Sequence, residues 1–81
     1  MKIKYFAWLK EITKVESELC DDSKILNIND LKKFIVSKYP EMKKHLNEDL
    51  LRIAVNKDYI VENISLNSDD EIAVFPPVSG G

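Results

Sequence analysis

Chemistry is most legible at the end of this chain, in Pro76-Pro77-Val78-Ser79-Gly80-Gly81. Proline fixes φ and lacks a backbone N–H, so Pro76 and Pro77 end any central strand formed by the preceding Ile72-Ala73-Val74-Phe75. A polyproline-like pair keeps the succeeding residues extended, without internal hydrogen bonds. Fully extended, residues 76–81 reach about 20 Å. Gly80 and Gly81 have no Cβ, so a slot too narrow for any other residue admits their backbone. The terminal group is a carboxylate with a reference pKa of about 3.3–3.7. A loose chain end is the plainer alternative, since glycine is common in loose ends. The stiff proline base favours an arm that enters a partner, because preorganisation lowers the entropy cost of binding. The expected layout is a folded body, residues 1–75, bearing an extended tail, residues 76–81, whose working end is Gly81.

Other residues offer little competing chemistry. Cys20, the single cysteine, lies beside Asp21-Asp22, whose carboxylates disfavour a thiolate; it reads as an inert strand-end thiol with no internal disulfide partner. His45, the single histidine, has no cysteine or second histidine at metal-binding spacing and no serine–aspartate pattern, so no metal site is expected. The net charge of −2 and the absence of a basic stripe argue against nucleic acid as a partner. No apolar run is long enough to span a membrane and no signal peptide is evident, which together with one unpaired cysteine points to the cytoplasm.

The elements that must position the tail can be read from periodicity. Lys2 to Ala7 alternates, with Ile3, Tyr5 and Ala7 on one face and Lys2, Lys4 and Phe6 on the other, which predicts a half-buried strand. Trp8 to Lys14 suits one or two helical turns. Val15 to Leu19 alternates again and predicts an edge strand with Glu16 and Glu18 on its open face. Asp21-Asp22-Ser23 reads as a turn. From Ile28 to Tyr39, apolar residues recur at helical spacing, Asn27 is a fitting N-cap, and Asp30 supplies the acidic member of a capping box. Lys32, Lys33 and Lys38 are expected on the solvated side, and Pro40 ends the helix. Met42 and Leu46, four apart, predict a further short helical turn. Leu50 to Val55 and Tyr59 to Val61 flank a polar break and read as a hairpin; Glu71 to Phe75 is the closing strand. One amphipathic helix must cover a mixed sheet of four or five strands, with the first and last strands central. That is an α+β, ubiquitin-like β-grasp roll, whose last strand releases the tail at one end of the sheet.

Three segments carry a family resemblance: Tyr5-Phe6-Ala7-Trp8-Leu9-Lys10-Glu11, Ala54-Val55-Asn56, and Asp70-Glu71-Ile72-Ala73-Val74-Phe75-Pro76-Pro77-Val78-Ser79-Gly80-Gly81. The chain resembles the MoaD family of sulfur carriers, the small subunits of molybdopterin synthase. Lys10 stands where that family commonly has arginine, which keeps the charge but loses a bidentate fork. Lys4 occupies a position that is often apolar. The resemblance implies that an ATP-dependent activating enzyme adenylates Gly81, that sulfur displaces AMP to leave a thiocarboxylate, and that the tail enters the large subunit. There sulfur would pass to cyclic pyranopterin monophosphate during molybdenum cofactor biosynthesis, in a heterotetramer whose catalysis belongs to the large subunit. The small subunit itself would bind no cofactor. Sulfur carriers for thiamine or tRNA thiolation, and ubiquitin-like protein modifiers, remain alternatives on the same fold. Phe6 and Phe75 fall on the outward parity of adjacent strands and are expected, with Leu50 or Ile60, to form an apolar partner patch beside the tail; a core position for either ring is the other reading.

Overall fold

The structure, a computed structural model, describes residues 1–20, 23–47, 51–60 and 62–76. The expected turn at Asp21-Asp22, the patch candidate Leu50, the hairpin residue Val61 and the tail residues Pro77, Val78, Ser79, Gly80 and Gly81 lie outside the described residues. Strand β1, Lys2–Tyr5, buries Ile3 and Tyr5 as its alternation predicts. Helix α1, Leu9–Thr13, brings Leu9 and Thr13 into the interior, and strand β2 comes next at Ser17–Leu19. Helix α2, Ile28–Lys38, starts where Asn27 Oδ1 accepts the Asp30 amide at 2.9 Å. The Asp30 carboxylate accepts from Leu26 N at 3.0 Å rather than from the N-cap amide, so the box closes one residue early. A 3-10 turn at Pro40–Met42 and helix α3, Lys43–Asn47, place Met42 and Leu46 in the core.

Strands β3, Arg52–Val55, and β4, Asp58–Ile60, are joined by Asn56 and Lys57, with φ of 52° and 73°. Positive φ at both central residues is what a I′ hairpin turn requires, and asparagine tolerates it well. Strand β5, Glu71–Phe75, completes a five-stranded sheet in the order β2-β1-β5-β3-β4. Among the described residues only the β1–β5 pairing is parallel. The α2 stripe of Ile28, Leu31 and Ile35 packs with Ile3, Ile53, Ile72 and Val74 on one sheet face. Each such side chain contributes about 1.5–3 kcal/mol by leaving water. The β-grasp architecture is therefore the one expected.

Two local expectations are corrected. Ala7 does not continue the inward face of β1: the strand ends at Tyr5, and Ala7 is exposed with φ of 55°. Glu18 is not on an open face. Its register opposite Ile3 puts it on the helix-covered side, while Leu19, opposite Lys2, is 82% exposed. The cause is the polar lid above it: Glu18 accepts from Tyr5 Oη at 2.8 Å and Tyr39 Oη at 2.6 Å, and pairs with Lys38. Lys38 is on the solvated side as expected and reaches Glu18 from there, lying also over the Phe34 and Tyr39 rings.

Candidate functional site at the tail exit

The tail leaves from the end of β5, so the side chains around Phe75 form the candidate site. Two strands meet there. Phe6 N donates to Val74 O at 3.0 Å, extending the parallel pairing one residue beyond β1. The chain then turns at Ala7, with Leu9 N donating to Phe6 O at 3.2 Å. An alanine in the left-handed region carries about 1 kcal/mol of steric cost, and here it flanks two outward rings, Phe6 and Trp8. Phe6 is 45% exposed and stands edge-on to half-buried Phe75, with ring centroids 6.1 Å apart. The core alternative for the two rings therefore does not hold.

A third ring joins them. Tyr59, 70% exposed, lies 5.4 Å from Phe75 at 69°. The register explains how a β4 residue reaches a β5 residue across β3: Ala54 sits between Tyr59 and Ala73 on the outward face. Two small side chains leave room for the larger rings to lean together, and Ala54 ends up only 6% exposed on the face away from α2. Ile60, one of the two suggested patch partners, has the opposite parity and packs half-buried against the core. Sequence reasoning missed Tyr59, although a two-residue turn at Asn56-Lys57 fixes its position opposite Ala54. It also missed Trp8, whose indole rests on the half-buried His45 ring of α3 at 4.9 Å.

These side chains offer contact more than acid–base chemistry. Aromatic rings supply large, rigid apolar area at an interface. Shifted side-chain pKa values gather elsewhere, around Glu18 of the edge strand. Burial alone would raise the Glu18 pKa, but hydrogen bonds from Lys38, Tyr39 and Tyr5 outweigh it and hold the carboxyl below its ordinary value. The same contacts work in reverse on the phenols: burial first, then Glu18, pushes Tyr39 up to about 12 and Tyr5 higher still. Cys20 is buried. Among the described residues no group of three or more His, Cys, Asp or Glu side chains is placed to hold a metal ion, and no helix is long and apolar enough to cross a membrane. The Lys10–Glu16 pair at 3.8 Å is long and exposed, in keeping with a lysine that lacks the guanidinium fork.

A single covering helix, this strand order and a central last strand running into Pro-Pro and a Gly-Gly pair define a ubiquitin-like β-grasp protein. The ThiS family model matches residues 3–81, and the chain belongs to that family. Two relatives called molybdopterin synthase sulfur carrier subunit match along their length. The Dictyostelium discoideum protein is 41% identical, covering 99% of this chain and 94% of its own; the Homo sapiens protein is 33% identical, covering 100% and 93%. Among solved structures, a putative molybdopterin converting factor subunit 1 from Pyrococcus furiosus is similar at 28% identity, with a TM-score of 0.82 and 95% of both chains covered. The small archaeal modifier protein 1 of Methanosarcina acetivorans is similar at 27% identity and a TM-score of 0.76, over 99% of this chain and 94% of its own. A chain in the complex of subunits 1 and 2 of the Helicobacter pylori molybdopterin-converting factor is similar at 25% identity and a TM-score of 0.66, over 99% and 96%.

Proposed function

We propose that the chain is the sulfur-carrying small subunit of a molybdopterin synthase and that Gly81 is its reacting residue. A free carboxylate resists nucleophiles because its charge opposes attack and oxide leaves poorly. In an activating partner, a Gly81 carboxylate oxygen would attack the α-phosphorus of ATP and expel pyrophosphate, giving an acyl adenylate. Hydrosulfide adding to the acyl carbon expels AMP and leaves the thiocarboxylate directly; if a persulfide attacks instead, AMP leaves an acyl disulfide, and a second thiol of the donor cleaves its S–S bond, freeing the thiocarboxylate and taking the donor sulfur into a disulfide. The glycines let partner donors approach the reacting carbonyl closely enough to stabilise the addition. The loaded tail enters the large subunit, which performs the catalysis and transfers sulfur to cyclic pyranopterin monophosphate. ATP belongs to the activating partner, and the small subunit holds no cofactor of its own. Phe6, Phe75 and Tyr59 would meet the partner while Pro76 and Pro77 hold Val78, Ser79 and the glycines out toward its cavity.

The observation that carries this reading is that the family match runs through Gly81 itself. The Helicobacter pylori complex supports a large-subunit partner. The Methanosarcina neighbour favours a second reading, a protein modifier using the same acyl adenylate for isopeptide bonds. Intact-mass measurement separates the two. After incubation with activating enzyme, ATP and a sulfur donor, the carrier gains the mass difference between one sulfur and one oxygen atom. A ladder of covalent adducts without that gain supports the modifier, and no mass change at all overturns both.

A further inference from the structure

Ala7 is strained, and its own segment does little to hold it. Its φ is 55°, a conformation that an L-alanine disfavours by roughly fivefold to thirtyfold. The bonds across the turn, Leu9 N to Phe6 O at 3.2 Å and Lys10 N to Ala7 O at 3.3 Å, lie at or beyond the long end of the N–H···O range. Helix α1 behind it has five residues and no side-chain cap at Trp8, and so short a helix does not support itself. A strained residue persists only where its surroundings over-determine it. On the strand side, Phe6 N is fixed to Val74 O at 3.0 Å. On the helix side, the Trp8 indole rests on His45 with ring centroids 4.9 Å apart and planes at 59°. His45 is a firm base, because Met42 before it and Leu46 after it are both buried in the core. A ring contact of this kind favours its geometry by about twofold to twelvefold, which is comparable with the bias that Ala7 must overcome.

We infer that the Trp8–His45 stack is a clamp that keeps Ala7 left-handed and thereby aims the Phe6 ring at Phe75, making Ala7, Trp8 and His45 positioning residues for the partner patch. Phe6 is paired to β5 through its N–H, while its carbonyl already accepts the first bond of α1, so ladder and helix meet in one residue. The left-handed φ at Ala7 lets the chain leave the sheet and enter α1 without a longer loop. Were Ala7 to relax to an extended or right-handed φ, the Phe6 carbonyl and Trp8 would turn with it. The Phe6 ring would then lose its edge-on place 6.1 Å from Phe75. Holding that ring before the partner arrives removes part of the ordering cost of binding. The role in partner binding rests on Phe6 meeting the partner, as proposed above, whereas the clamp itself does not. His45 thus has a use that needs neither a metal nor a proton transfer.

The test is a double-substitution cycle on the full chain. Trp8 is the single tryptophan, so its fluorescence reports the stack, and an NMR cross-peak between the Phe6 and Phe75 rings reports the aim. His45→Ala should change the Trp8 emission and weaken the cross-peak. It should also raise the Kd for the synthase large subunit about twofold to twelvefold, because affinity falls with the fraction of molecules holding the right form. His45→Phe, which keeps a ring beneath the indole, should restore both. Glycine takes left-handed φ about as readily as right-handed. With Ala7→Gly in place, His45→Ala should therefore leave the cross-peak intact and cost less than about twofold in Kd. A merely structural histidine would cost the same with either residue at position 7, so equal losses overturn the clamp. A lower thermal transition for Ala7→Gly alone also overturns it, since relief of strain should raise that transition. If His45→Ala does not fold, Trp8→Ala removes the same contact from the exposed side, with cross-peak and Kd as the readouts. Coupling in the cross-peak with no change in Kd overturns the role in partner binding. The outcome is separable from the carrier reading: sulfur gain without coupling overturns the clamp alone, and coupling in a chain that never gains sulfur overturns the carrier alone.

Discussion

The two ends of β5 are held in opposite ways. At its start, the Asp70 carboxylate, buried to 8% exposure, accepts Asn67 N at 2.7 Å and Asn56 Nδ2 at 2.8 Å. Asn56 in turn takes Glu71 N on its Oδ1 at 3.0 Å, and Lys2 N donates to Asp70 O at 3.1 Å. The hairpin turn, the loop before β5 and the first residue of β1 are thereby locked to one point. At its finish, Phe75 is bounded by aromatic rings and succeeded by a proline with no N–H to donate. Polar pinning fixes register because buried donors and acceptors left unmatched are costly. Exposed rings fix nothing within the monomer and remain available to a partner. The strand is anchored at one end so that the other can be presented.

Substitutions at the two ends should therefore fail differently. The largest effect expected is from removing Gly81: sulfur loading by mass spectrometry is abolished while the thermal transition is unchanged. Asp70→Ala should cost about 2–3 kcal/mol of stability, because it strands the Asn56 and Asn67 donors. That lowers Tm by on the order of 10 °C in calorimetry, with partner affinity of the folded fraction intact. Phe75→Ala should weaken partner binding by about 1–3 kcal/mol in titration calorimetry; unchanged binding would erase the distinction between the ends. Glu18 gives a pH signature belonging to neither end. Its folded pKa is lowered, so its contribution is full above the ordinary value of 4.5 and is lost as pH falls through the folded value. Denaturation of the unmodified chain and of Glu18→Gln should then converge in acid. Tyr39 acts on the alkaline side, its contribution full below the ordinary 10 and lost as pH rises through about 12. The smallest effect is expected at Lys4→Ala, which removes an exposed 3.1 Å pair with Glu71 and should leave Tm where it was.

Much of the frame is legible from local pattern. Ile3 with Tyr5, and Ile72 with Val74, show the period of two that a one-sided burial demands, and the α2 stripe shows its helical counterpart. Alternation counted from Val15 misplaces Glu18 because it takes no account of Tyr39 and Lys38, which arrive from α2 and turn an outward acid into an inward one. The turn at Ala7 carries no sequence mark, since alanine is not the residue that left-handed φ selects. Phe6 and Phe75 are readable from parity, whereas the Trp8–His45 contact joins elements whose packing no local period encodes.

The parallel pairing of β1 with β5 also has a bearing on how the molecule is made. Among the strands, β5 is the last to emerge from the ribosome, yet it occupies the middle of the sheet. Until it arrives, β1 and β3 have no shared neighbour, and the most distant parts of the sequence must meet for the interior to close. The sheet is completed only with β5 in its middle, so closure of the interior waits on the strand that leads into the tail.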